Sequence, residues 1–193
     1  MPSGCAYRQR RNDTMPDTPA ITFVPVAPEH LPMLHTWLRE PHIREWWGEP
    51  ETELGYIVDM IEGRDTTKPY IFYVNGEPTG YIQVWLIGPH QNGEWSKENP
   101  WLMKLPSHSV GVDLSIGEES KLSQGIGSAV LRQFVGMLKA EGHTAIIIDP
   151  DPENMRAVRA YTKAGFRPVP HLEGSTPGVL IMQHESNTNE INP

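Results

Sequence analysis

The segment Ser123-Gln124-Gly125-Ile126-Gly127-Ser128 places two glycines directly before a run with helical apolar spacing, Ala129, Val130, Phe134, Val135 and Leu138. Glycine has no Cβ, so a ligand can approach the backbone closely and unusual φ values cost little. The first N–H groups of a helix lack partners inside it, and its dipole favours negative charge there. The segment is therefore a candidate anion site, with Ser123 or Ser128 as a hydroxyl donor. A glycine pair before a helix also serves simply to shape a tight turn, so the surrounding chain must decide.

Downstream, residues 143–149 read as a short buried strand in which Ile146, Ile147 and Ile148 are consecutive. Asp149-Pro150-Asp151-Pro152 then breaks the chain. Glu153 to Ala164 is predicted to be a helix with Met155, Val158 and Tyr161 on one face, ended by Gly165 as its C′ glycine. Phe166 begins the next strand. Asn154 is a leading N-cap residue type at the start of that helix. Asp149 ends its strand at the mouth of the sheet, where ligands of α/β proteins collect. Asp113 lies in an otherwise apolar strand, Val110-Gly111-Val112-Asp113-Leu114. A carboxylate there faces a cleft, finds a partner, or sits on an exposed edge.

These residues carry a resemblance. Asn154-x-x-Ala157-x-x-x-Tyr161-x-x-x-Gly165-Phe166 resembles the second acyl-CoA motif of the GNAT superfamily of N-acetyltransferases, and Ser123 to Ser128 resembles its pyrophosphate loop. One position departs: Leu122 stands three residues before the first glycine, where the superfamily usually has Gln or Arg. Backbone amides do most of the phosphate binding in that loop, so the departure weighs little. His42-Ile43-Arg44-Glu45-Trp46-Trp47-Gly48, Pro69-Tyr70-Ile71, Asn75-Gly76-Glu77-Pro78 with Gly80-Tyr81 and Gln83, and Gly111-Val112-Asp113 are similar to the aminoglycoside 6′-N-acetyltransferases. The likeness runs from about Ile21 to about Gln183. Siderophore-biosynthesis acyltransferases share parts of this layout.

The resemblance implies acetyl-CoA as the acyl donor and a polycationic aminoglycoside as the acceptor. It implies that Tyr161 lies near the sulfur as general acid, although the same residue would also serve as a packed core tyrosine. Asn154 would bond the pantetheine arm. The strand of Asp113 would splay from its neighbour, with backbone groups of Leu114, Ser115 and Ile116 pairing with that arm. Asp113 would then face the incoming amine, bind its ammonium and take its proton, directly or through water. Asp149 would hold a second ammonium. Trp46, Trp47, Tyr70, Gln83, Trp85 and Trp101 are candidates for a wall against sugar rings, with one of Trp46 and Trp47 packing and the other facing substrate. Glu45, Glu77, Glu94 and Glu98 are weaker candidate cation contacts, because most surface carboxylates are only solvated. No residue presents itself as an acyl-accepting nucleophile, which favours direct attack in a ternary complex. Acylation of a siderophore precursor or another small amine is the alternative enzyme reading. A non-catalytic acyl-CoA-binding module would lose its acid and base first, and Tyr161 and Asp113 are both present.

The elements that must position these groups follow from the apolar pattern. Ile21 to Val26 alternates toward a strand. Pro28 opens a helix with Leu31, Leu34, Trp37 and Leu38 on one face, and His42 to Trp47 continues as a short helix or turn. Pro50 opens another, with Leu54, Ile57, Val58 and Ile61 at helical spacing and Gly63 past its end. Residues 70–74 and 79–86 are strands joined by Asn75-Gly76, a strong hairpin signal. Residues 88–104 read as a loop, and 107–116, 166–171 and 179–184 as further strands. The expected fold is mixed α/β: the GNAT fold, a twisted, mostly antiparallel sheet flanked by helices.

Composition agrees with one domain. A chain of 193 residues can bury a single core, and 38% hydrophobic with 21% charged residues is ordinary for a globule. Residues 1–19 are expected to be a disordered leader with Met15 as a second candidate start, 20–185 the domain, and 186–193 a polar tail. The only cysteine, Cys5, lies in that leader, so no internal disulfide is available and a cytosolic location is the default. No apolar run approaches the ~20 residues of a membrane span. The net charge of −8 repels nucleic acid and attracts cations, and it also serves solubility. The eight histidines show no metal-binding spacing, and no metal is expected. Oligomeric state is not legible.

Overall fold

The computed structural model describes residues 19–172 and 178–185. The expected leader, apart from Pro19, and the expected polar tail lie outside the described residues, as do Cys5 and Met15.

Seven strands form one sheet: β1 (Ile21–Pro25), β2 (Lys68–Val74), β3 (Glu77–Leu86), β4 (Val110–Ile116), β5 (Ile146–Ile148), β6 (Phe166–Pro168) and β7 (Met182–His184). Their order across the sheet is β1-β2-β3-β4-β5-β7-β6. Every pairing is antiparallel except β4 with β5. The β2–β3 hairpin turns on Asn75 and Gly76, both at positive φ (53° and 83°), which a two-residue type I′ turn requires.

The helices are α1 (Leu31–Leu38), α2 (Pro41–Trp47), α3 (Pro50–Ile61), α4 (Ile87–His90), α5 (Glu94–Glu98), α6 (Ile126–Ala140) and α7 (Met155–Ala164). They cover both faces of the sheet, and the two-residue alternation of β2 and β3 divides the core accordingly. Phe72 and Ile82 point to the face packed by Val130, Leu131 and Phe134 of α6. Ile71 and Tyr81 point to the opposite face, against Leu34 and Trp37 of α1 and Ile57 of α3. A third cluster, built on Trp85, Ile87, Trp101 and Leu102, fills the end of the sheet where β3 crosses to β4.

The parallel contact of β4 with β5 is short. It pairs only Val110 with Ile146 and Gly111 with Ile147. Beyond Gly111, β4 stays paired to β3 as far as Ile116 but no longer pairs with β5. The sheet is split there, and the split creates the site.

Several boundaries differ from the expected ones. Residues 88–104 are not a plain loop: they hold α4, α5 and a 3-10 turn over Pro100–Lys104. Helices this short show no apolar period. They are held by tryptophan packing and by Gln91, whose side-chain amide donates to the carbonyls of Leu102 and Leu105, 2.8 Å each. The strand expected over 166–171 stops at Pro168, because prolines at 168 and 170 remove ladder donors, and a 3-10 turn follows at Pro170–Leu172. The strands expected over 107–116, 143–149 and 179–184 are trimmed to β4, β5 and β7. Among the described residues, no helix is long and apolar enough to cross a membrane.

Candidate active site

A cavity of about 510 Å³ opens in the split between β4 and β5. The N-terminus of α6, one side of α7 and the end of α2 close it. Sequence dictates each wall locally.

Gly125 is the N-cap of α6 and sits in the left-handed region at φ 80°, with Ser123 also at φ 60°. A Cβ at Gly125 would meet nothing within 4 Å, so the requirement there is backbone conformation, not space. The first intrahelical bond runs from Ala129 N–H to the Gly125 carbonyl. The amides of Ile126, Gly127 and Ser128 precede it, and all three residues line the cavity. A turn of unpaired amides at a helix N-terminus fits a phosphate group. Two details of the expected loop change. The Ser128 hydroxyl donates to the Gly125 carbonyl at 2.9 Å and caps the turn. Gln124 is not part of the cavity wall; its exposed side chain donates back to Ser120 O at 2.7 Å.

Leu114, Ser115 and Ile116 line the opposite side with backbone that β5 does not pair. His42 of α2 donates from Nε2 to the Ile116 carbonyl at 2.8 Å and fixes the end of β4 against α2. Its Nδ1 is buried with no partner among the described residues. Asn154 caps α7: its Oδ1 accepts from Ala157 N–H at 3.1 Å, and the residue borders the cavity.

Asp113, Asp149 and Tyr161 form one group on the cavity wall, close enough for both carboxylates to act on the hydroxyl. Asp113 faces Gln83 across the β3–β4 ladder. Gln83 Nε2 donates to Asp113 Oδ2 at 2.8 Å, and the Tyr81 hydroxyl donates to Gln83 Oε1 at 2.6 Å. The Trp85 indole, packed on Gly111 next along the ladder, also helps hold the Asp113 carboxyl down. Alternate residues of one face of β3, namely Tyr81, Gln83 and Trp85, thus orient one carboxylate. Gly111 makes room for this: a Cβ there would lie 2.1 Å from Trp85 Cε2, so the indole rests directly on bare backbone.

Electrostatically the three groups oppose one another. Burial pushes the Asp113 carboxyl up, and the hydrogen bonds from Gln83 and Trp85 pull it partly back. Asp149 is pushed well above the usual carboxylate range, first by burial and then by the charge of Asp113. Burial, followed by the two carboxylates, raises the Tyr161 hydroxyl and keeps it protonated. Glu53 of α3, also on the cavity wall, is raised by desolvation and by Asp113. Carboxylates that raise one another form a site suited to a cation.

The remaining candidates divide. Trp46 and Trp47 both border the cavity, and of the two it is Trp47 that also packs on the α1/α3 core cluster, edge-on against Tyr81 at 5.7 Å. Gln83 borders it while holding Asp113. Tyr70 does not border it: β2 turns its ring to the α6 face, edge-on to Phe134 at 5.6 Å. Trp101 is also elsewhere, 1% exposed in the third core cluster beside Trp85 and Trp95, since residues 88–104 fold inward there. Trp85 is buried and touches the site only through Asp113. Glu45, Glu77, Glu94 and Glu98 are exposed and lie outside the wall, Glu94 bonded to Lys97.

Sequence reasoning missed Glu53 and a group of cations on α7. The signal for Glu53 was its place one turn before buried Ile57, a carboxylate on the apolar stripe of α3. It also lines a smaller neighbouring cavity of about 130 Å³ with Asp59 and Asp65. Among the described residues, no group of His, Cys, Asp or Glu is arranged to hold a metal ion.

An amide-lined anion turn, a split parallel pair and a buried tyrosine are the geometry of an N-acetyltransferase domain. The family model for the acetyltransferase (GNAT) domain matches residues 27–173, and the chain belongs to that family. Within it the chain resembles the aminoglycoside 6′-N-acetyltransferases. Aminoglycoside N(6′)-acetyltransferase type 1 of Klebsiella pneumoniae is 32% identical over 155 residues, covering 76% of this chain and 74% of that protein. The solved structure of AAC(6′)-Ib in complex with paromomycin and acetyl-CoA superposes with a TM-score of 0.71 at 28% identity, over 90% of this chain and 99% of that one. AAC(6′)-Ib in complex with coenzyme A and kanamycin gives 0.69 at 30% identity, over 87% and 95%.

Proposed function

We propose that this chain transfers the acetyl group of acetyl-CoA to the 6′-amine of an aminoglycoside, by direct attack in a ternary complex, and so confers resistance. One observation carries the reading. Asp113, Asp149 and Tyr161 stand close enough to act on one another's charge, and they share one cavity with the amide turn of α6.

The residues present fit coenzyme A. Open space over Gly125 and the amides of Ile126 to Ser128 suit a pyrophosphate, and the edge of Leu114 to Ile116 that β5 leaves unpaired, its last carbonyl held by His42, suits an amide-bearing arm beside Asn154. When bound, acetyl-CoA supplies an acetyl thioester and a thiol leaving group.

The chain's own groups handle the protons. Asp113 and Asp149 draw the ammonium of the acceptor into the cavity, and its charge offsets their mutual repulsion. Only the neutral amine attacks, so Asp113 takes the first proton, directly or through water. As the N–C bond forms and the C–S bond breaks, Tyr161 O–H gives its proton to the departing sulfur. The second proton leaving the nitrogen restores the tyrosine, and one proton is released per turnover. Glu53, Trp46 and Trp47 provide charge and flat surface for the rest of the aminoglycoside. The acidic lining supports a polycationic acceptor over the hydrophobic acyl slot that a siderophore acyltransferase would need. An acidic chain of this kind is assigned no nucleic-acid partner, and the cytosol, where acetyl-CoA is available, is the proposed location.

Thiol release from acetyl-CoA with kanamycin A beside paromomycin, which carries a 6′-hydroxyl in place of the amine, tests this. Turnover of kanamycin A alone is expected. Turnover of both would move the reaction to another amine, and turnover of neither, with acetyl-CoA still bound, would remove aminoglycosides as the substrate.

A further inference from the structure

The cavity has a basic side that the chemistry above leaves unused. Arg156, Arg159 and Lys163 of α7 all border it. At i, i+3 and i+7 they form one stripe along the helix, while Tyr161 projects from the buried side. Like charges at this spacing destabilise a helix. None of the three is paired with a carboxylate among the ion pairs of the described residues. Asp151 borders the same region, but its Oδ1 accepts from Glu153 N–H at 2.7 Å and serves the turn before α7. In a chain with 16 basic against 24 acidic residues, three clustered cations left without carboxylates point to an external anion.

Their place in the fold says which one. Ala160 lies beside the stripe, and a Cβ built on Gly127 would stand 4.0 Å from Ala160 Cβ. The cations therefore flank the amide turn of α6 on the side away from Tyr161. Backbone amides take a diphosphate well, but a phosphate monoester carries ≈ −1.5 to −2 charges and favours guanidinium and ammonium donors.

We propose that Arg156, Arg159 and Lys163 form a distinct subsite for the 3′-phosphate monoester of coenzyme A and make the enzyme discriminate against 3′-dephospho-CoA. The proposal rests on the acetyl-CoA reading above. It separates two anion sites on one cofactor: an amide turn for the pyrophosphate, which both ligands possess, and a cationic stripe for the group that only coenzyme A carries.

Calorimetric titration with coenzyme A and with 3′-dephospho-CoA, without any amine, tests it. A charge-assisted hydrogen bond is worth enough to give about tenfold in affinity, so the wild type is expected to bind coenzyme A at least about tenfold tighter. That preference should shrink as salt is raised, because Arg159 and Lys163 are exposed. Arg159→Gln with Lys163→Gln should reduce the preference to about twofold while leaving 3′-dephospho-CoA affinity unchanged. Arg159→Lys should retain most of it, and unaltered melting temperatures would show that the variants are folded. Equal wild-type affinities, or an equal loss for both ligands in the double variant, would overturn the subsite and assign the cations to the pyrophosphate. Binding of neither ligand by the wild type would overturn it together with the acetyl-CoA reading.

Discussion

Replacing Gln83 by Leu tests whether β3 sets the working state of Asp113. The substitution keeps side-chain bulk and removes the amide that donates to Asp113 Oδ2 at 2.8 Å. Burial already raises this carboxyl, and the Gln83 bond is the first of two that oppose the rise. A hydrogen bond to a charged group contributes about 1.5–3 kcal/mol. Asp113 is only partly buried and its free face opens to the cavity, so the lower figure applies, or roughly tenfold in the population of the ionised form. The sign follows from the role: Asp113 must be ionised to bind an ammonium and take a proton, so a weaker hold on the carboxylate moves its titration upward. In Gln83→Leu, kcat/KM for kanamycin A should fall about tenfold on the acid side, the acid limb should shift to higher pH, and much of the loss should recover in alkali. Trp85 and Gly111 stay in place, but the buried Tyr81 hydroxyl loses its Gln83 Oε1 acceptor, so stability should also fall by about 1–3 kcal/mol. A uniform loss at every pH, with the limb unmoved, would refute the reasoning and make Gln83 a direct substrate contact.

Tyr161→Phe should lower kcat by about 10²- to 10⁴-fold, the range for a positioned general acid, with coenzyme A affinity by titration unchanged. Undiminished turnover would remove Tyr161 as the acid. Asp149→Asn should raise the stability of the ligand-free protein near neutral pH by on the order of 1 kcal/mol in denaturant titration while cutting activity, because it removes one of two opposed, half-buried carboxylates. The pH dependence has the matching sign. A carboxyl raised in the folded state destabilises the fold above its folded titration, so the wild-type penalty should ease as pH falls through that raised range, and Asp149→Asn should lack this component. Gly111→Ala drives a methyl into the Trp85 indole, where a Cβ would stand at 2.1 Å. It should cost about 1–3 kcal/mol by thermal melting and weaken catalysis through Asp113; a wild-type melting curve would contradict the packing.

What was legible in the sequence was whatever chemistry writes into adjacent residues. The turn of α6 requires Gly125 at φ 80°, and the cap of α7 requires a side chain like Asn154, so both stand out as local patterns. Asn75-Gly76 likewise specifies its hairpin and, through it, the β2–β3 register. Relations between distant segments were harder to read. Tyr70 and Trp101 are aromatic residues near site residues in the chain, yet strand parity sends one to the α6 face, and the inward fold of residues 88–104 buries the other. Parity along β3 also explains a success of type with an incomplete role. Gln83 does reach the cavity, but it shares a face with Tyr81 and Trp85 and so acts on Asp113 across the ladder.

The cavity's charge pattern is the property that sequence composition hid most completely. A net charge of −8 describes an acidic protein, but the acid and the base are sorted in space. Glu53 and Asp149 both lie near enough to Asp113 to be raised by it, while Arg156, Arg159 and Lys163 stand on α7, which meets the amide turn through Ala160. Neither group is neutralised within the fold: desolvation raises the three carboxyls, and the cations have no carboxylate partner among the described ion pairs. A fold that places unneutralised charge of both signs along one cavity is complementary to two ligands of opposite charge. With a polyanion at the turn and a polycation at the carboxylates, Tyr161 stands beside the group that receives the amine. The same sorting disfavours the reverse placement, since a phosphate beside Tyr161 would face Asp113 and Asp149, and an ammonium at the turn would face helix amides and three cations. Orientation of both substrates thus follows from the positions of six side chains and one helix terminus, before any shape complementarity is considered.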